Sequence, residues 1–520
     1  MAMNLKRLIL MLALALSACG TETTEELPNF DPSADTEEGD AYDPFIAGKG
    51  DAPDGFTQDI EFESACETGD EFVIASVGDV LLHGRLQQQG FASGFDSLWS
   101  GVTDLLQQAD ITYANLEGPT APGTNAYGKD VTDPGKRFDN VVYTSYPMFN
   151  YHPALLDALK ASGIDVVSTA NNHSIDRREL GADRTLDELD ARNIPHSGTR
   201  RSDSSSEEWW TVVDKNGWKV AFLACTYATN GITDRKNQVL LCFEDADKIE
   251  GMVAELAARP DIDAVIVTPH WGSEYTANPS SDQFKLAHRL LDAGATAILG
   301  NHPHVIQPWE RYVTRDGRET FVMYSHGNFV SGQRQLERRT TLLLYLGLVR
   351  TADGVKVRGA RYIPLHMTET STGQLTLQAI DRAGAFGDSR KHVTKLMGGK
   401  YLLMPHEAVV TNPQCNPSWV PHHSQDGWTG GSCESDIACG GTTTCDTELP
   451  GGLCTMDCNG GCPDVTGRQT TFCVDLGDGS GSCVLQCVED AECRPGYSCV
   501  VEPRFNEPGV SRKVCLPTPQ

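Results

Sequence analysis

Between residues 72 and 350 the sequence repeats one pattern: a short apolar run rich in Val, Ile and Ala, then a polar cluster, then a stretch with helical spacing. Apolar runs of strand length alternating with helical segments are the mark of a layered α/β domain, and no all-helical or all-β chain reads this way. The runs are FVIASVGD (72–79), ITYANLE (111–117), IDVVSTANNH (164–173), WKVAFLACTY (218–227), AVIVTPHWG (264–272), ATAILGNHPH (295–304) and FVMYSHGNF (321–329). Helical spacing lies between them at 153–162, 180–192 and 281–293.

Residues able to hold a metal fall at one kind of position in this pattern. Asp79, Glu117, Asn172, His173, His270, His302 and His304 each stand at or just beyond the carboxyl end of an apolar run. In open α/β sheets that edge is where ligand sites assemble. In NHPH, His302 and His304 flank Pro303, so a turn there lets both imidazoles approach a shared centre from different sides. Carboxylates, an amide oxygen and imidazoles with no thiol form a donor set that suits Mn, Fe or Zn. Neighbouring ligands of this kind also fit a pair of metals about 3.5 to 4 Å apart.

The 520 residues suffice for roughly two to four domains of about 150 residues each. Lys plus Arg is 42 against 71 Asp plus Glu, a formal charge of −29 that repels nucleic-acid phosphates and argues against a nucleic-acid partner. Much of this charge sits in one place: residues 20–71 hold 17 acidic residues and a single basic one, Lys49, with no apolar period. That composition predicts an acidic, disordered, self-repelling linker. Ahead of it, Lys6 and Arg7 precede an apolar run over 8–16 and then Ser17, Ala18 and Cys19. This is a signal peptide, too short to span a membrane, and residues 16–19 (LSAC) resemble the bacterial lipobox. Its Cys19 would carry the lipid and hold the chain to the membrane of the cell envelope, the outer membrane or cell surface being the expected location. A plain secretory signal with a chance Cys is the alternative.

Of the 17 cysteines, twelve lie at 433–515 and parse into three groups of four. The first and third share CxxDxxC followed by CxxxxxC, which implies duplication of a small unit. No histidine follows His423, so structural zinc fits less well than disulfides, which stabilise a core this small. Spacing alone leaves the connectivity open. A bridge from Cys225 to Cys242 is expected, with free thiols as the alternative. The domain division is therefore a signal peptide at 1–19, a linker at 20–71, a catalytic-type domain at 72–412, a second linker at 413–432 and cysteine-rich repeats at 433–520.

The series GDVLLHG, ANLEG, ANNHSID, HWGSEY, GNHPHV and YSHGNF resembles the bacterial CapA family, the poly-gamma-glutamate capsule synthesis proteins, over roughly residues 72–370. The resemblance implies an α/β, metallophosphoesterase-like layered sandwich of mixed sheets flanked by helices, here with a small disulfide-rich C-terminal module. It further implies two divalent metal ions, Asp79 and His304 on one, Asn172, His270 and His302 on the other, and Glu117 bridging. His173 would be the general acid, with Asp176 as its acceptor; Glu274 is the corresponding candidate for orienting His270. The phosphoesterases pair the first Asp with a His two positions on; here that position is Leu81, and His83 is the nearby substitute ligand. His326 in YSHGNF reads as a tolerated strand-end residue. Arg85 and Arg177 are the first choices, ahead of Arg137 and Arg334, for clamping an anion.

Two functions follow as expectations. The first is an exported, lipid-anchored, metal-dependent phosphoesterase of capsule or polyglutamate assembly. The second is a non-catalytic accessory that binds an anionic cell-surface polymer or its synthetic machinery.

Overall fold

The computed structural model describes residues 60–206 and 208–518. The signal peptide, Cys19 and most of the acidic linker lie outside the described residues. The strands that build the main body are β1 (Asp70–Val80), β2 (Ile111–Leu116), β3 (Val166–Ser168), β4 (His196–Ser197), β5 (Trp210–Lys215), β6 (Trp218–Thr226), β7 (Ala264–His270), β8 (Ala297–Leu299), β9 (Ile306–Val313), β10 (Glu319–His326), β11 (Asn328–Val330), β12 (Thr340–Thr351), β13 (Gly354–Glu369) and β14 (Leu375–Ala379). They form two sheets. One runs β14-β13-β12-β1-β2-β3-β4 with β11 beside β1, and the other runs β5-β6-β7-β8-β10-β9. The first sheet is parallel from β1 to its edge at β4 and antiparallel on the other side through β12, β13 and β14, while the second has a parallel centre, β6, β7, β8 and β10, between antiparallel edge strands β5 and β9.

Side chains alternate across each strand, so one apolar run serves two cores. Ile74, Ile111 and Val166 of the first sheet share a buried cluster with Phe222, Ile266 and Leu299 of the second. The opposite face of the first sheet packs on α1 (Gly84–Ser93) and α2 (Ala154–Ala161) through Val77, Leu86, Leu155 and Leu159. Leu223, Val265, Val267 and Ile298 of the second sheet pack likewise on α4 (Ala246–Ala258) and α5 (Ser281–Asp292); between these pairs in the chain comes α3 (Arg178–Ala191). Each Val, Leu or Ile fully buried in this way contributes about 1.5 to 3 kcal/mol. The architecture is thus the expected sandwich of mixed sheets flanked by helices. At its centre Gly78 lies so close to Gly327 that an added Cβ would sit 1.8 Å from the carbonyl oxygen, so the residue before Asp79 has room for no side chain.

The twelve C-terminal cysteines form six disulfides, each group of four closing on itself, first to third and second to fourth. The middle group, which shares no spacing signature with the others, has the same build. In each repeat a hairpin sets its two cysteines opposite each other in register: Cys445 with Cys454, Cys473 with Cys483, and Cys499 with Cys515. Cys225 and Cys242 are bonded as expected, and Cys66 pairs with Cys415, a long-range bridge that spacing did not suggest. Eight disulfides among the described residues fit an oxidising, extracytoplasmic compartment. No helix among the described residues is long and apolar enough to cross a membrane.

The stretch 413–432, read as a linker, is packed in place. Trp428 is buried and donates from Nε1 to Asp381 Oδ1 at 2.8 Å, while Arg390 Nε donates to the same oxygen at 2.5 Å. Arg468 of the cysteine-rich module stacks over the Trp428 ring, and Gly441 N donates to Arg382 O. These contacts dock the module on the main body and do not leave it on a tether.

Candidate metal centre

Four parallel strands end at one edge, and each delivers a polar group there. Asp79 is the penultimate residue of β1, Glu117 follows β2, Asn172 follows β3 and His270 ends β7. The turn after β8 supplies His302 and His304, both with left-handed backbone, φ 100° and 56°. That conformation costs a non-glycine residue on the order of 1 to 3 kcal/mol, strain of a kind that collects at functional sites. It turns the two rings toward one centre, with centroids 5.8 Å apart.

All six side chains are buried and meet in a continuous run of contacts. His304 Nδ1 lies 3.1 Å from Asp79 Oδ2. On the other side, His270 Nε2 lies 3.0 Å from Asn172 Oδ1 and 3.1 Å from His302 Nδ1. Glu117 sits between the two groups, its Oε1 being 3.7 Å from both His270 Nε2 and His304 Nε2. Asn115, which motif reading passed over, donates from Nδ2 to Asp79 Oδ1 at 2.8 Å and stands 3.2 Å from His270 Nδ1. Its place one strand register from Asp79, in β2 beside β1, was the signal available.

The electrostatics separate the three histidines. Burial, reinforced by the neighbouring imidazoles, pushes His270 and His302 well below the ordinary range, so both are neutral nitrogen donors. Burial acts on His304 in the same direction, but the charge of Glu117 and the hydrogen bond and charge of Asp79 overcome it and lift the group to about 10. The proton on His304 offsets buried carboxylates, a role that a divalent cation also performs. His302 Nε2 is buried with no hydrogen-bond partner among the described residues. Neutral imidazoles, two buried carboxylates and an amide oxygen converging within ligand distance of one another form a set that fits divalent metal. Ligand atoms of Glu117, His270 and His302 all lie within 4.8 Å of one another, as do those of Glu274, His302 and His304. Glu274, expected to orient His270, therefore stands beside His304, its Oε1 4.0 Å from Nε2.

His173 borders this centre. Its Nδ1 lies 2.7 Å from Asp176 Oδ2, and Asn230 links it to Asn172: Asn172 Nδ2 donates to Asn230 Oδ1 at 3.1 Å, and Asn230 Nδ2 lies 3.4 Å from His173 Nδ1. His83 accepts from Gly332 N at 3.2 Å, and both His83 and His173 pack edge-on to Phe149. His326 is interior: Nδ1 donates to Gly300 O and Nε2 accepts from Ser76 Oγ, and burial lowers it to about 4, so it is a neutral bridge between the two sheets.

The two arginines expected to clamp an anion lie in different surroundings. Arg177 is wholly buried, its guanidinium donating to Asp176 O, Val142 O and Thr144 Oγ1, which braces residues 142–144 from inside. Arg85 is exposed and donates to Glu369 at 2.7 and 3.4 Å. Sequence reading missed Arg338, which stacks on Tyr275, itself 6.0 Å from the His304 ring, and missed Tyr227, whose ring is 4.4 Å from that of His302.

The sandwich with a buried carboxylate and histidine cluster at its strand ends defines a class of layered α/β proteins with a metal-capable centre. Residues 73–333 match the family described as bacterial capsule synthesis protein PGA_cap, and the chain belongs to that family. It is 28% identical over 314 residues to the PGA biosynthesis protein CapA of Bacillus subtilis (strain 168), covering 60% of this chain and 72% of that protein. With the capsule biosynthesis protein CapA of Bacillus anthracis it shares 25% over 331 residues, 63% and 74% of the two chains. A probable polyglutamine synthesis accessory protein of Mycobacterium tuberculosis is 24% identical over 285 residues, 52% and 72%. Among solved structures, the calcineurin-like phosphoesterase YfkN from Bacillus subtilis superposes with a TM-score of 0.35 at 15% identity, over 64% of this chain and 97% of that one.

Proposed function

We propose that the chain is an exported, lipid-anchored protein of capsule or poly-gamma-glutamate assembly that hydrolyses a phosphoester at a two-metal site. The observation that carries this reading is the position of Glu117 Oε1, equidistant from His270 and His304, between two groups of buried donors. Divalent cations held by Asp79 and His304 on one side and Asn172, His270 and His302 on the other would supply Lewis-acid charge toward the phosphoryl oxygens and an activated water. The chain's own contribution is proton handling and exclusion of solvent. Hydrolysis breaks the bond from phosphorus to the leaving oxygen, and that oxygen needs a proton. Asp176 accepts the Nδ1 hydrogen of His173, which leaves Nε2 as the nitrogen that delivers it. Cys19 as the acylated residue accounts for retention at the envelope.

The non-catalytic alternative is favoured by one observation: Leu81, buried at 2% exposure, occupies the place of the first motif's histidine. The decisive experiment is turnover of simple phosphomonoesters and diesters with added Mn, compared with His173→Ala. Activity lost in the variant while bound metal persists supports the hydrolase. Bound metal without turnover of any phosphorylated substrate supports the accessory.

A further inference from the structure

Immediately after β11 the chain enters the turn SGQRQLERR (331–339), and this turn has two faces. One is bonded to the metal-capable centre: Asn328 Nδ2 donates both to His304 O at 3.3 Å and to Gln333 Oε1 at 2.9 Å. The other walls a cavity of about 240 Å³ lined by Gly332, Gln333, Arg334, Arg339, Arg85 and Glu369. Three guanidiniums thus surround one carboxylate.

The three positive groups come from separate parts of the fold, α1 and the two ends of the turn, and converge on Glu369 at the end of β13. Arg85 meets that carboxylate in a two-pronged contact at 2.7 and 3.4 Å. Arg339 donates from Nε to Met367 O at 2.7 Å. All three act on Glu369: the hydrogen bond and charge of Arg85 first, then the charges of Arg334 and Arg339, hold its carboxyl below the usual range. Burial lowers Arg339 against the charge of Glu369, which acts to raise it, and the charge of Arg334 adds a smaller lowering. Glu369 therefore shows how a planar carboxylate seats here, and the arrangement keeps positive charge in surplus. The cavity is smaller than the roughly 300 to 1,000 Å³ of a site for a whole small ligand, so it suits an end group or side chain of something larger.

The geometry points to a carboxylate-binding subsite: the cavity among Arg85, Arg334 and Arg339 takes a carboxylate of an anionic chain whose reacting group lies at the Asp79, Glu117 and His304 cluster. This rests on the proposed reading of that cluster as the reaction centre, and it assigns the substrate's class as a polyanion engaged at two points. Glu369 competes for the same guanidiniums, so it sets how tightly the subsite binds.

The test is fluorescence anisotropy of a labelled glutamate oligomer with the full chain in detergent. The double substitution Arg334→Ala with Arg339→Ala should weaken binding about tenfold or more, the loss expected for charge-assisted hydrogen bonds. Glu369→Gln should tighten it several-fold, a gain that misfolding cannot mimic. Unchanged affinity in the double variant, or weaker binding in Glu369→Gln, overturns the subsite. Inorganic phosphate displacing the oligomer where equal concentrations of free glutamate do not would also overturn it, because the ligand would then be a phosphate. Mn-dependent turnover of a small phosphodiester reads the cluster separately. Oligomer binding without turnover removes the hydrolase and keeps the subsite, and turnover without oligomer binding does the reverse.

Discussion

Asp176 Oδ2 lies 2.7 Å from His173 Nδ1 and accepts the backbone N–H of Phe149 at the same distance, so one buried carboxylate oxygen fixes both the imidazole and the loop that packs against it. An imidazole held in this way keeps one hydrogen on Nδ1, toward Asp176, and acts as an acid only when Nε2 carries a proton as well. His173→Ala is expected to lower kcat about 10²- to 10⁴-fold, the range for loss of a positioned acid. Asp176 acts through His173 as a positioning residue, and Asp176→Asn should lower kcat about 10- to 100-fold with KM and metal stoichiometry little changed. Steady-state kinetics with metal analysis on the same preparations checks both. Equal losses in kcat and metal content would assign Asp176 to the structure alone.

Metal analysis of the full chain should give about two divalent ions per molecule. His270→Ala removes a donor that contacts both Asn172 and His302, and is expected to reduce the stoichiometry. Added Mn at about 100 times its dissociation constant should stabilise the wild type by about 2.7 kcal/mol per occupied site, readable as a higher unfolding midpoint. No bound metal and no shift in midpoint would remove the centre.

His422 ties the docked stretch to the main body. Its Nε2 lies 2.6 Å from Glu407 Oε1 and its Nδ1 3.5 Å from Asp426 Oδ2, while Arg361 backs Glu407 at 3.1 Å. Burial opposes its charge, but the hydrogen bonds of Asp426 and Glu407 prevail and raise it to about 9. A raised histidine contributes stability that is fully present below its ordinary value of 6.5 and is lost as the pH rises through 9. Asp426, whose burial is outweighed by His422 and Ser432, is lowered to about 2, so its contribution fades only as the pH falls from 3.8 through 2. Denaturant unfolding should therefore weaken between pH 6.5 and 9, and His422→Gln should flatten that slope. An identical slope in the variant would show that other groups set it.

The proposed lipid attachment at Cys19 carries its own test. Cys19→Ser should move the protein from the membrane fraction to the soluble one and abolish incorporation of labelled fatty acid. Continued membrane association in the variant would refute lipid attachment at this residue.

The seven apolar runs of the sequence correspond to strands, and the carboxyl ends of five of them (72–79, 111–117, 164–173, 264–272 and 295–304) supply the side chains that meet at the centre. Burial on both faces leaves an unbroken apolar run, and chain direction alone sets which end is the carboxyl end. The β12–β13 hairpin was not read, although its strands are almost wholly buried, because TTLLLYLGLVR gives no period that separates strand from buried helix. Which cysteines pair was also closed to spacing, since hairpin register decides which sulfurs stand opposite.

The sequence by itself determined the layered α/β class, the oxidising compartment and the identity of the metal-capable residues, because local periodicity and residue chemistry are written along the chain. Only the tertiary structure decided what each charge faces. Arg177 turned inward, Arg85 met a glutamate 284 positions away, Glu274 moved to His304, and the presumed linker became an interface. Partners such as these are chosen by distance in space, and distance in space depends on how both sheets pack at once.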